Sequence, residues 1–149
     1  NSVSMPGTEA NAMKNYYPGD MYVDWLGVSC YPPSLSATYP EERRYPLTLM
    51  QGIKQVSADK PIMISEGGYS NTCDHQRWVR EWFKLKDEEP RVKAVVWENH
   101  ENAENGDRRL QSDPLALELY KELVQDPYWL DLIPDAVYNE IETRKNNSK

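Results

Sequence analysis

Three short apolar runs, each followed by a longer stretch whose apolar side chains return every third or fourth position, set the rhythm of this chain. The runs are Tyr22 to Ser29 (Tyr-Val-Asp-Trp-Leu-Gly-Val-Ser), Pro61 to Ser65, and Val92 to Trp97 (Val-Lys-Ala-Val-Val-Trp). Each is short and partly β-branched, which predicts strands covered on both faces. Turn chemistry at Tyr17-Pro18-Gly19-Asp20 precedes the first. Between the runs, Leu47, Met50, Ile53 and Val56 recur at helical spacing, and Trp78 with Trp82 and Val79 with Phe83 form (i, i+4) pairs. Ser112-Asp113-Pro114 is an N-cap signal followed by proline in the first turn, and predicts a third helix through Leu117, Tyr120 and Val124. Val137 and Ile141, four apart, predict a terminal helix over roughly 134–144, within a C-terminal helix and tail at 131–149.

The predicted order is strand, helix, strand, helix, strand, helix, helix, at the ~30-residue spacing of βαβ units. Three parallel strands alone would leave both sheet edges open. A doubly wound nucleotide-binding sheet could begin this way, yet no Gly-rich phosphate loop follows any strand. The expected fold class is therefore α/β, with residues 1–149 as the C-terminal part of a (β/α)8 TIM barrel.

Composition narrows the partners. A formal net charge of −7 over 149 residues gives no basic face for nucleic acid or an anionic membrane. No apolar run approaches the ~20 residues that span a bilayer. The chain has no initiator Met and no leader-like segment, which is uninformative if an N-terminal part has been removed. Ten Tyr and five Trp against a single Phe favour rings with a polar edge, which suit sugars and ordinary cores alike. Cys30 and Cys73 follow consecutive predicted strands. A disulfide between them is feasible, and two reduced thiols fit no less well. No CxxC pair or His/Cys cluster suggests zinc, and no metal or cofactor is expected. Asn146-Asn147-Ser148 matches a glycosylation triplet at the end of the chain.

The candidate chemistry sits in Pro61-Ile62-Met63-Ile64-Ser65-Glu66-Gly67-Gly68-Tyr69. Three apolar residues lead into one carboxylate and a glycine pair, a pattern for a buried strand that delivers an acid at its carboxyl end. Catalytic groups of parallel α/β folds gather there. The alternative is a capping or ion-pairing acid.

With these residues placed, the chain resembles the C-terminal part of glycoside hydrolase family 26, the β-mannanases and related endo-glycanases. The matching stretches are Tyr16-Tyr17-Pro18-Gly19-Asp20, Tyr22 to Ser29 closing on Tyr31, Lys60 to Glu66, Val95-Val96-Trp97, and Asp107-Arg108-Arg109 before Ser112-Asp113-Pro114. Together they cover roughly residues 15 to 130. The resemblance implies barrel strands six, seven and eight, with Glu66 as the nucleophile of a retaining glycosidase. It implies Tyr31 as that carboxylate's hydrogen-bond partner and Trp97 as a platform beneath the sugar. Tyr69 and His100 are further expected substrate contacts, although a lone loop histidine is more often simply solvated.

Two departures stand out. Arg108 replaces a frequent aromatic residue, and the fourth strand with its general acid/base glutamate is absent. Glu98 is a second carboxylate, but strand alternation sends it to the helices or the loop if Trp97 faces the barrel axis, so a Glu66–Glu98 catalytic pair is not expected. The Glu101 to Arg109 run reads as a solvated turn.

The expected function is a retaining endo-glycoside hydrolase acting outside the cell on a β-linked polysaccharide such as β-mannan. Its apparatus would be completed by the N-terminal half of the same barrel, so the isolated chain is expected to be inactive. The alternative is a non-catalytic carbohydrate-binding or interaction module on a degenerate barrel.

Overall fold

In the computed structural model, the described residues are 12–32, 47–69, 73–102 and 106–130. Their elements run β1 Leu26–Cys30, α1 Leu47–Lys54, β2 Ile62–Gly67, α2 His75–Glu88, β3 Val92–Trp97, β4 Glu101–Asn102, β5 Gly106–Asp107 and α3 Pro114–Leu123. The expected terminal helix, the C-terminal tail and the glycosylation triplet lie outside the described residues. Among the described residues, no helix is long and apolar enough to cross a membrane.

β1, β2 and β3 form a parallel sheet in sequential order, and β4 pairs antiparallel with β5. The three strands follow the order expected from the apolar runs, with shifted ends. β1 starts at Leu26 rather than Tyr22 because the chain before it is turned back on itself. Gly19 takes φ +106° and its carbonyl accepts from the Tyr22 N–H at 3.0 Å. Leu26 is the first residue to reach the sheet, through the Pro61 carbonyl. β2 runs on through Glu66 to Gly67, so the acid belongs to the strand rather than to a loop beyond it.

Leu26, Val28, Cys30, Ile62, Ile64 and Val92 share one core with Leu49, Met50 and Ile53 of α1 and with Trp78, Val79, Trp82, Phe83 and Leu85 of α2. The opposite face presents exposed Gly27, Ser65 and Glu66 and half-exposed Val96. Helix starts follow their caps. Asp74 accepts from the Arg77 N–H ahead of α2, and Asp113 accepts from Leu115 and Ala116 N–H groups ahead of α3, with Pro114 opening the first turn.

Two irregularities in the pairing decide where side chains point. Ile62 pairs with Val92 and Met63 with Ala94, which leaves Lys93 as an extra residue in β3. Val28 pairs with Ile64 and Ser29 with Glu66, which leaves Ser65 extra in β2. Each bulge reverses the in/out alternation beyond it.

Opposite the candidate site, at the amino-terminal edge of the sheet, Glu89 is almost wholly buried and forked by Arg91. The Nε–Oε1 and Nη2–Oε2 distances are both 3.0 Å, and Arg91 Nη1 donates to the Ser57 carbonyl at 2.7 Å. Hydrogen bonds from Arg91 hold the Glu89 carboxyl below its ordinary range, against an opposing push from burial. Replacing Glu89 by alanine strands a guanidinium and should cost about 2–3 kcal/mol in denaturant unfolding. A depressed carboxyl stabilises the fold fully above its unfolded pKa and loses that contribution as pH falls through the folded one. The wild type should therefore lose stability below about pH 4.3 more steeply than the Glu89→Gln variant. Parallel acid profiles for the two proteins would contradict this.

Candidate active site

The bulge at Ser65 puts Glu66 beside Ser29 on the open face, while its neighbour Gly67 turns inward. Gly67 can do so only as glycine: a Cβ there would lie 2.1 Å from Trp82 and 2.3 Å from the Cys30 carbonyl oxygen. The Tyr31 hydroxyl, just past β1, donates to Glu66 Oε1 at 2.6 Å, and Ser29 Oγ lies 3.2 Å from Oε2. Glu66 and Tyr31 are thus brought together across adjacent strand ends.

The same phenol oxygen stands 2.5 Å from Glu98 Oε2. Glu98 is also ion-paired with Arg108 and approached by His100 Nδ1 at 3.2 Å. The Arg108 guanidinium lies over the Tyr31 ring, 4.2 Å from its centroid, at a distance typical of cation–π attraction. Burial pushes the Tyr31 hydroxyl well above its ordinary pKa, reinforced by its bonds to the two carboxylates. Burial also raises Glu98, but its contact with the Tyr31 hydroxyl and its ion pair with Arg108 outweigh it and hold this carboxyl below its usual range.

Glu98 corrects the expectation that it faces away. The Lys93 bulge moves Val95 and Trp97 to the helix side, which leaves Glu98 on the side of Tyr31 and Glu66. Trp97 accordingly packs edge-on against Trp82 of α2 (5.5 Å), Tyr120 of α3 (5.8 Å) and Tyr69 (4.9 Å), and its indole N–H donates to the Arg108 carbonyl. It is therefore built into the aromatic layer beneath the helices rather than laid on the open face. Tyr69 is fully buried and stacked on His75, with ring centroids 4.0 Å apart, so it offers no surface to a sugar. His100 remains at the rim with its side chain more than half exposed.

Arg108 is the residue that sequence reasoning underused. The Glu101 to Arg109 run is a small hairpin rather than a plain solvated turn, and Gly106 at φ +91° opens its return strand. The hairpin returns Arg108 over the site, where its N–H donates to the His100 carbonyl and its side chain is nearly buried. The available signal was the departure itself, an arginine in an aromatic position two strands from an unassigned glutamate. Gly68 makes room for it, since a Cβ there would come within 3.2 Å of the Glu98 carbonyl and 3.4 Å of Arg108 Cβ.

The two carboxylate oxygens that contact Tyr31 lie within about 5 Å of each other. A retaining glycosidase sets its two carboxyl groups roughly 5 to 5.5 Å apart, so the pair invites comparison. Two features disqualify Glu98 as the general acid. The Tyr31 phenol stands against its Oε2, and a carboxyl drawn below its usual range by Arg108 is a poor proton donor. Glu66 is different: it is exposed and oriented by two hydroxyls, and among the described residues no cation is ion-paired with it.

Cys30 is a fully buried thiol and is not joined to Cys73 by a disulfide. Among the described residues, no group of three or more His, Cys, Asp or Glu side chains is arranged to hold a metal ion.

No family model matches the chain. Over 113 residues, 73% of its length, it is 29% identical to Endoglucanase H of Acetivibrio thermocellus. The chain spans only 12% of that protein's length. The site described above therefore sits in a chain with a glycosidase-like relationship.

Proposed function

We propose that this chain is the nucleophile-bearing part of a retaining glycoside hydrolase acting on a β-linked polysaccharide. The observation that carries this reading is the Tyr31–Glu66 contact at the carboxyl ends of adjacent parallel strands. An ionised carboxylate held by a phenol can attack an anomeric carbon and later be displaced by water. The similarity to Endoglucanase H supports glycosidase chemistry, and the family 26 resemblance suggests β-mannan as the polysaccharide. We further propose that the three strands belong to a (β/α)8 barrel of family 26 type. The acid/base carboxyl would come from the barrel's N-terminal half and the substrate would be met outside the cell.

An activated fluoro-glycoside with a dinitrophenolate leaving group tests the assignment, because such a leaving group departs without a general acid. Incubated with the full-length protein, it should add one fluoroglycosyl group, mapped by peptide mass spectrometry to Glu66. Label on another carboxylate would refute the assignment. Oligosaccharide binding with no label at all would favour a non-catalytic binding module.

A further inference from the structure

The Tyr31 hydroxyl has two carboxylate acceptors and one hydrogen. Its oxygen is 2.6 Å from Glu66 and 2.5 Å from Glu98. A phenol O–H lies in the plane of its ring and has two favoured directions, half a turn apart. The Arg108 guanidinium over one face holds the ring itself in place, so rotation of the hydroxyl is the coordinate left free. Glu98 is suited to be the weaker acceptor in the resting site. Its Oε2 already accepts from Arg108 and its Oε1 faces His100, so its negative charge is largely answered. Among the described residues, Glu66 is met by the Ser29 and Tyr31 hydroxyls alone and is the more demanding acceptor.

We propose that Glu98, held by Arg108, is a positioning residue that receives the Tyr31 hydrogen bond when Glu66 loses its charge. This rests on the reading of Glu66 as the nucleophile. In the glycosylation step a Glu66 oxygen uses a lone pair to form the bond to the anomeric carbon. The departing oxygen leaves with the old bonding pair and is protonated by a carboxylic acid from elsewhere in the barrel. Glu66 becomes a neutral ester and a poor acceptor. The Tyr31 O–H bond stays intact and turns to Glu98, so the phenol never points a hydrogen at an ester that no longer needs it. Deglycosylation by water regenerates the anion and turns the hydroxyl back. Without Glu98 the hydroxyl would have no strong acceptor in the intermediate, and without Arg108 two full anions would compete for one hydrogen.

The test needs no turnover, which separates it from the glycosidase assignment. The full-length protein is labelled with carbon-13 at the glutamate carboxyl carbons, and the Glu98 signal is assigned by its loss in E98Q. In E66Q, where a neutral amide stands in for the ester, the Glu98 carboxyl signal should shift as it gains the phenol hydrogen bond. In the Y31F background the same E66Q change should lose more than about half of that shift, because the coupling runs through the hydroxyl. Glu66→Ala serves as the second neutral variant if E66Q does not fold. An unmoved Glu98 signal, or a shift that keeps half or more of its size in Y31F, would show that Glu98 is merely the counter-ion of Arg108 and overturn the proposal. Failure of the fluoro-glycoside to label Glu66 would instead strike the nucleophile assignment and leave the hydrogen-bond result standing.

Discussion

Glu66→Ala in the full-length protein is expected to lower kcat by about 10⁴-fold or more while leaving the fold intact. The reasoning starts from what the side chain contacts. Glu66 is exposed on the open face and touches Ser29 and Tyr31 through hydroxyl groups. Removing it therefore opens no core cavity and strands no buried cation, and the stability change should stay within about 0.5 kcal/mol. On the proposed reading the chemical loss is large because a retaining mechanism splits one displacement into two through this carboxylate, and water is a far weaker nucleophile than the positioned carboxylate it would replace. The vacated space gives the result a distinguishing signature. Azide or formate added to the alanine variant should restore turnover of an activated substrate, with azide yielding a glycosyl azide of inverted anomeric configuration. Tyr31→Phe should lose far less, about 10- to 100-fold, since the carboxylate remains and only its orienting donor is gone. Full activity in Glu66→Ala, measured as sugar release, would remove the nucleophile from this chain.

Much of this arrangement is legible in residue order because it rests on local signals. Apolar runs gave three parallel strands, the third with the expected bounds of Val92–Trp97. Asp113 caps α3, and Pro114 follows its cap as the pattern required. The Tyr31–Glu66 contact was foreseeable only through resemblance, since 35 residues separate the two and nothing local couples them. The bulges were not legible. Lys93 and Ser65 have nothing in type or spacing that marks them as extra residues, yet they exchange the faces of Trp97 and Glu98. Simple alternation from Val92 places the indole on the open face and the carboxylate beneath it; the observed register does the reverse. The burial of Tyr69 was hidden for a related reason. A tyrosine after a glycine pair looks like a loop residue, but stacking on His75 and edge contact with Trp97 bury it completely. Arg108 required knowing that a two-residue ladder folds back over the sheet, and ladders that short carry no periodicity.

Gly67→Ala should be the most damaging single-methyl change near the site, and a glycine series can separate its cause from general intolerance. An added Cβ at Gly67 meets Trp82 at 2.1 Å and the Cys30 carbonyl oxygen at 2.3 Å. Neither obstacle can yield cheaply. Trp82 is fully buried between Trp78 and Trp97, and the Cys30 carbonyl belongs to the strand residue paired with Gly67. Overpacking against one flexible neighbour costs about 1–3 kcal/mol; two rigid ones should bring the loss to about 3–4 kcal/mol and lower Tm by about 10 °C or more. Gly68→Ala presses on the Glu98 carbonyl at 3.2 Å and on the stem of Arg108, so a loss of about 1 kcal/mol is expected. At Gly27 the nearest atom is Ser65 Oγ at 3.6 Å, an ordinary contact, and alanine there should change stability by less than about 0.5 kcal/mol. The order Gly67, Gly68, Gly27 in thermal unfolding would establish that the bulge at Ser65 depends on an inward-facing residue with no side chain. Equal losses at all three positions would mean that this region tolerates no added volume anywhere. In the expected order, the exposed carboxylate of Glu66 is held in place by the absence of a side chain on the residue that follows it.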